Sequence, residues 1–275
     1  NAAIALLART ARRLDRRHTR AAERFLSQAL GAGLPPATRD RFVRNSYALL
    51  AHMALGTFLR PKRVREDRLD EHFELDFGPD FQELLRRGGP VAFLSCHVGD
   101  WEASGPIWKR LGFYPLHVVA KPARNRPLSI WIQELREASG HRVLSRYGAM
   151  QEVVSAVAQG GSLGLILDHR ATMRPIWAPF FGRLAACERS SAVLLRRLKI
   201  PAVITACYRA KRPWHYRVVA PRVFWPDELA RLSSEEIVVA INQELERLIL
   251  AHPEQYYWLH DRFRGTPPTD VAASH

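Results

Sequence analysis

At 275 residues with 47% apolar side chains, the chain is long enough to bury a sizeable core and fits one large α/β domain. Its 41 lysines and arginines outnumber 27 acidic residues, giving a formal charge of +14, so its partners are expected to be anionic: nucleic acid, an anionic membrane or an acidic carrier. Three scattered cysteines, Cys96, Cys187 and Cys207, are too few for a disulfide framework or a zinc site, and no run of about 18 apolar residues supplies a transmembrane helix.

The first element is a basic amphipathic helix. Ile4, Leu7, Ala11, Leu14, Ala21, Phe25 and Ala29 recur at three- and four-residue steps, while Arg9, Arg12, Arg13, Arg16, Arg17, Arg20 and Arg24 occupy most other faces. Such a helix can lie in a headgroup layer with its arginines on phosphates, or present a solvated basic face while packing on the domain. Turn residues over 31–38 end it, and a second helix follows over 39–59. From residue 81 strands alternate with helices. Strands are expected at 91–95, 115–120, 141–145, 162–168 and 201–208, with helices over 101–111, 128–138, 151–158 and 190–198. That order predicts a largely parallel central sheet covered by helices, with chemistry at the carboxyl ends of the strands. A strand over 214–220 is expected as an antiparallel edge, then a long helix over 234–250 capped by Ser233 or Ser234. One domain over 1–265, with N-terminal helices over 1–59 and a frayed tail over 266–275, is the expected organisation.

The strongest chemical signal is HVGDWE at residues 97–102. An apolar strand runs into His97, Gly99 permits a tight turn, and Asp100 is a candidate N-cap for the helix that carries Glu102. A histidine near its ordinary pKa can take a proton from a hydroxyl at neutral pH, and a nearby carboxylate fixes its tautomer. No G-x-S-x-G elbow is present, so a substrate hydroxyl can be the nucleophile. Cys96 precedes His97, but adjacent side chains on extended backbone point to opposite faces, which argues against a Cys–His nucleophile. The alternative to catalysis is a hydrogen-bonded turn histidine beside a carboxylate at a helix start.

His97-x4-Glu102 resembles the H-x4-D/E motif of glycerolipid acyltransferases, in the H-x-G-N-W-E form of the bacterial lipid A late acyltransferases. The resemblance continues in order through LDRRHTRAAERF (14–25), KPARNRPLSIWIQELRE (121–137), LILDHR (165–170), APFFG (178–182) and HPEQYYWLHDRFR (252–264). It implies a glycerolipid acyltransferase-like α/β fold and transfer of a fatty acyl group from an acyl thioester to a hydroxyl of a lipid A precursor or related glycolipid. In that reading His97 is the general base and Glu102 orients it, with Arg136 and Asp168 at matching functional positions. The co-substrate is expected to be an acyl carrier protein thioester or acyl-CoA, with no cofactor and no metal. The expected location is the cytoplasmic face of the bacterial inner membrane, held peripherally or through a segment outside this sequence. The chain departs from the pattern where Arg170 replaces a second acidic residue, Asp100 replaces asparagine, and Asp261 interrupts a basic run.

Lys121, Arg124 and Arg126 form a cluster that can hold phosphates of a lipid acceptor or carrier, or be a solvated loop. Trp101, Phe180 and Phe181 are candidates for an acyl-chain pocket, although a Phe-Phe pair is as often plain core. Trp258, His260 and Arg262 can close the site from the C-terminus. Two other functions fit the charge or the histidine: a nucleic-acid-binding protein, against which stands the lack of interleaved aromatics and of a recognisable binding motif, and an acyl-thioester hydrolase using water.

Overall fold

The computed structural model describes residues 2–120, 126–138, 141–145, 149–265 and 267. The expected 266–275 tail, apart from Pro267, lies outside them, as do Lys121 and Arg124.

Three helices precede the sheet where two were expected. The basic helix is broken into α1 (Ala2–Leu14) and α2 (Arg16–Leu30) by Asp15, whose side chain accepts the His18 amide as an N-cap. Side-chain hydroxyls bond carbonyls at the break: that of Thr19 donates to the Arg12 carbonyl at 3.1 Å, and that of Tyr47 to the Asp15 carbonyl at 3.2 Å. The break also divides the apolar stripe. Ala22, Phe25 and Leu26 of α2 are fully buried, whereas Leu6, Leu7 and Leu14 of α1 stay exposed. The third helix, α3 (Pro36–Arg63), buries Phe42, Val43 and Tyr47 and leaves Leu50, Leu55, Phe58 and Leu59 outside.

The central sheet has seven strands. Along the chain, β1 (Phe73–Phe77) and α4 (Pro79–Arg87) lead to β2 (Ala92–Ser95), a short 3-10 turn (Trp101–Ala103) and α5 (Gly105–Arg110). Then come β3 (Leu116–Ala120), α6 (Arg126–Ala138), β4 (His141–Ser145), α7 (Ala149–Ala158) and β5 (Ser162–Ile166). A separate hairpin, β6 (Ile176–Phe180) and β7 (Arg183–Cys187), is followed by α8 (Arg189–Leu198), β8 (Ala202–Arg209), β9 (Tyr216–Phe224), α9 (Pro226–Arg231) and α10 (Ser234–Ala251). The order is β1-β9-β8-β2-β5-β3-β4, with β8, β2, β5, β3 and β4 mutually parallel. Strand β9 runs antiparallel to β8 as expected, but it is not the edge: β1 pairs outside it, in parallel. Ser233 caps α10 in a reciprocal box with Glu236.

Strand β2 is central and buried on both faces, which is why it reads as a continuous apolar run. Ala92 and Leu94 face a core with Phe25, Tyr47 and Trp258, while Val91 and Phe93 face the opposite core with Phe81 and Trp108. The side-chain period of two thus fixes which layer each residue joins. Among the described residues no helix is long and apolar enough to cross a membrane.

Candidate active site

Parallel register builds the centre of the site. Ser95 of β2 pairs with Ile166 of β5, and each strand ends there, so His97 and Asp168 both lie two residues beyond the paired ends. His97 Nδ1 sits 2.7 Å from Asp168 Oδ1, and the His97 amide donates to Asp168 Oδ2 at 3.0 Å. The aspartate is 1% exposed; burial pushes its carboxyl up, but the charge and hydrogen bonds of His97 outweigh that and hold it well below the ordinary carboxylate range. With Asp168 ionised, the histidine proton sits on Nδ1 and the Nε2 lone pair is left to act as a base.

The carboxylate on His97 is therefore Asp168, not the expected Glu102. Glu102 is held by Arg136 of α6, whose Nε and Nη2 reach its Oε1 at 3.1 and 2.5 Å. Burial raises the Glu102 carboxyl, but Arg136 and, more weakly, His141 and Arg60 bring it net downward, so it stays ionised. The reason for the exchange is local. Residues 101–103 form a 3-10 turn and α5 starts only at Gly105, which directs Glu102 towards α6 and the cavity beneath it.

Asp100 holds the expected N-cap position of that 3-10 turn, but its side chain makes no capping hydrogen bond. Its carboxylate accepts Arg60 Nη2 at 2.9 and 2.7 Å, a buried ion pair that ties the end of α3 to the turn carrying His97. Burial pushes the Asp100 carboxyl up, and Arg60 draws it back only in part. Replacing Arg60 by methionine leaves that carboxylate buried without its partner, and thermal unfolding should show a loss of about 3 kcal/mol. Adding Asp100→Asn to Arg60→Met should recover most of it.

The turn itself is wrapped by neighbours. Gly99 has φ +66°, its amide donates to the Gln255 carbonyl at 3.0 Å, and the Asp100 amide donates to Cys207 at 2.7 Å. The C-terminal segment closes over it: the Tyr257 amide bonds the His97 carbonyl at 2.9 Å. Arg262, 1% exposed, donates to the carbonyls of His169 and Ala186 and so braces the Asp168 loop. Cys96 is fully buried, and burial together with the Asp168 charge pushes its thiol well up, which leaves it inert as a nucleophile.

A cavity of about 120 Å³ opens beside the turn, walled by Phe93, Trp108, Leu116 and Val118 with Glu102, Arg136 and His141 among its polar groups. Trp101 lines it and stands edge-on to His97, ring centroids 4.7 Å apart. Phe180 and Phe181 do not line it, contrary to expectation. Phe180 is fully buried beneath the Arg262 guanidinium, and Phe181 begins the two-residue turn between β6 and β7. Phe181 and Gly182, both at positive φ, form the tight hairpin connection that the APFFG string concealed. Arg126 is exposed at the start of α6.

Sequence reasoning missed Arg60, His141 and His169. His141 looked like the first residue of an ordinary strand; it is buried against Gly105, where an added Cβ would meet its ring at 2.3 Å. Arg60 is a single cation in an arginine-rich chain, and nothing in the string marks it out. His169 was visible only as the residue after Asp168.

The sequence model described as "Bacterial lipid A biosynthesis acyltransferase" matches residues 1–265. The chain belongs to this family. It is similar to the lipid A biosynthesis palmitoleoyltransferase of Escherichia coli (strain K12), 24% identical over 206 residues that cover 74% of this chain and 65% of that protein. A lipid A biosynthesis acyltransferase of Shigella flexneri matches at the same identity and coverage. The matched region is thus less than two thirds of either relative.

Proposed function

We propose that the chain transfers a fatty acyl group from an acyl thioester to a hydroxyl of a lipid A precursor or a related glycolipid, with His97 as general base. The observation that carries this reading is the 2.7 Å contact between His97 and a buried, ionised Asp168 in a chain of this family. His97 Nε2 takes the hydroxyl proton as the acceptor oxygen forms its bond to the thioester carbonyl carbon. The tetrahedral intermediate then collapses, the carbon–sulfur bond breaks, and the imidazolium returns its proton to the leaving thiolate.

The oxyanion needs compensating positive charge or hydrogen-bond donors. Amides 97 to 100 are committed to Asp168, Cys96, Gln255 and Cys207 respectively. Arg136, fixed by Glu102 at the cavity wall, is the cation we assign to that charge. The cavity behind Trp101 suits the acyl chain, and Lys121, Arg124 and Arg126 suit phosphates of the acceptor or of the acyl carrier protein or coenzyme A donor. Exposed Leu6, Leu7 and Leu14 among the arginines of α1, with Leu55, Phe58 and Leu59 of α3, support docking on an anionic membrane surface, the cytoplasmic face of the inner membrane in this reading.

The test is transfer of a radiolabelled acyl group. With labelled acyl carrier protein or coenzyme A thioester and a lipid A precursor in anionic vesicles, label should move into the lipid. Label appearing only as free fatty acid, at a rate indifferent to the acceptor, would make the protein a thioester hydrolase.

A further inference from the structure

Strand β5 lies between β2 and β3 inside the sheet, yet Gly164, Leu165 and Ile166 of that strand are only partly buried. The cavity of about 120 Å³ accounts for this, because all three residues line it. Glycine weakens the interior of a strand, and one found there often marks a place where a ligand comes close. We propose, on the reading of this cavity as the acyl-chain site, that Gly164 sets the longest acyl chain the protein accepts.

Register fixes where the glycine stands. Gly164 pairs with Phe93 of β2 on one side and with Val118 of β3 on the other. Two residues further along, about 7 Å, Ser95 pairs with Ile166 at the strand ends from which His97 and Asp168 follow. Two residues back along β3 from Val118 is Leu116, paired with Ser162 and with His141 of β4. Ser95, Ile166, Leu116 and His141 all line the cavity, so it extends along the sheet from the His97 end to Leu116, and Gly164 stands midway. An acyl chain whose thioester lies at His97 passes Gly164 before it reaches Leu116. An added Cβ at residue 164 would lie 3.0 Å from Val118 Cγ1 and 3.8 Å from Leu116 Cδ1, which aims it at the cavity face of the sheet. A small shift of Val118 admits that first carbon. Each further carbon stands across the cavity and takes room from the end of the acyl chain, where one methylene changes discrimination about tenfold or more.

The label-transfer assay tests this with octanoyl, dodecanoyl and hexadecanoyl thioesters of acyl carrier protein or coenzyme A. The ratio of kcat/KM for dodecanoyl over octanoyl transfer should fall from the parent to Gly164→Ala to Gly164→Val, by about tenfold or more in the last. Leu116→Ala removes bulk at the far end of the cavity and should raise the ratio for hexadecanoyl over dodecanoyl. It also keeps the test decisive if far-ultraviolet dichroism shows that Gly164→Val does not fold. Equal losses at every chain length in Gly164→Ala, together with an unshifted ratio in Leu116→Ala, would overturn the role. The glycine would then serve only to make room for Val118. If the parent transfers no acyl group to any acceptor, the proposed function fails, and binding alone decides the role of Gly164. The probes are then free octanoate and dodecanoate, read as protection of the thermal midpoint. Gly164→Ala should lose protection by dodecanoate and keep that by octanoate; equal loss of both, or no protection of the parent by either, would overturn the role.

Discussion

With His97 replaced by glutamine, acyl transfer falls about a thousandfold while the protein folds as before. Glutamine retains comparable bulk and a hydrogen-bond donor for Asp168, so the contact made by Nδ1 at 2.7 Å has a substitute. The backbone bond from residue 97 to Asp168 Oδ2 is untouched. What glutamine lacks is a lone pair basic enough to take the acceptor proton at neutral pH. The loss should therefore appear in kcat, with acceptor KM within a few-fold of the parent value. A residual rate above one tenth of the parent would show that another group removes the proton. Cys96 cannot take over, since it is buried and its thiol is pushed far above neutrality.

Gly99→Ala should be the most destabilising single methyl in the turn that carries His97. A Cβ at residue 99 would lie 2.1 Å from the Cys207 carbonyl oxygen and 2.9 Å from the Tyr208 Cα, both backbone atoms of strand β8. Neither can rotate aside as a flexible side chain could. The backbone is also at φ +66°, where any residue with a Cβ is strained. Moving the turn away from β8 would break the 2.7 Å bond from the Asp100 amide to Cys207 and the 3.0 Å bond from the Gly99 amide to Gln255. These costs combine to about 5 kcal/mol, a lowering of the thermal midpoint by roughly 10 °C or more. Gly112→Ala is a control for the strain alone, because residue 112 also has positive φ but nothing lies within 4 Å of an added Cβ. A midpoint for Gly99→Ala equal to that of Gly112→Ala would mean that the close approach to β8 carries no weight.

Much of this architecture is legible in the string because burial on both faces writes itself as unbroken apolar runs, as at 91–95 and 201–208. Strand β1 hid for the opposite reason. Phe73, Leu75 and Phe77 alternate with Glu74 and Asp76, and such a short alternating segment carries little signal beside its mostly acidic neighbours. The break at Asp15 was concealed by an apolar spacing that continues across it. Within the site, His97 and Asp168 were both recognisable as strand-end residues, but which strands are neighbours is a property of the sheet. The motif spacing suggested Glu102 as the partner because it is near in sequence. Register between β2 and β5 instead brings a residue 71 positions away to His97, and α6 claims Glu102 through Arg136. The Arg60–Asp100 pair is likewise set by packing, from a helix end 40 residues upstream.

The pairing of His97 with Asp168 carries the proposed mechanism, and single-turnover acyl transfer by Asp168→Asn tests it most directly. Asparagine keeps the shape but loses the charge that stabilises the imidazolium, and it can present an N–H to Nδ1, favouring the wrong tautomer. The chemical step should slow by about a thousandfold or more, with acceptor binding unchanged. A single-turnover rate within tenfold of the parent would contradict Asp168 as the carboxylate that orients the base.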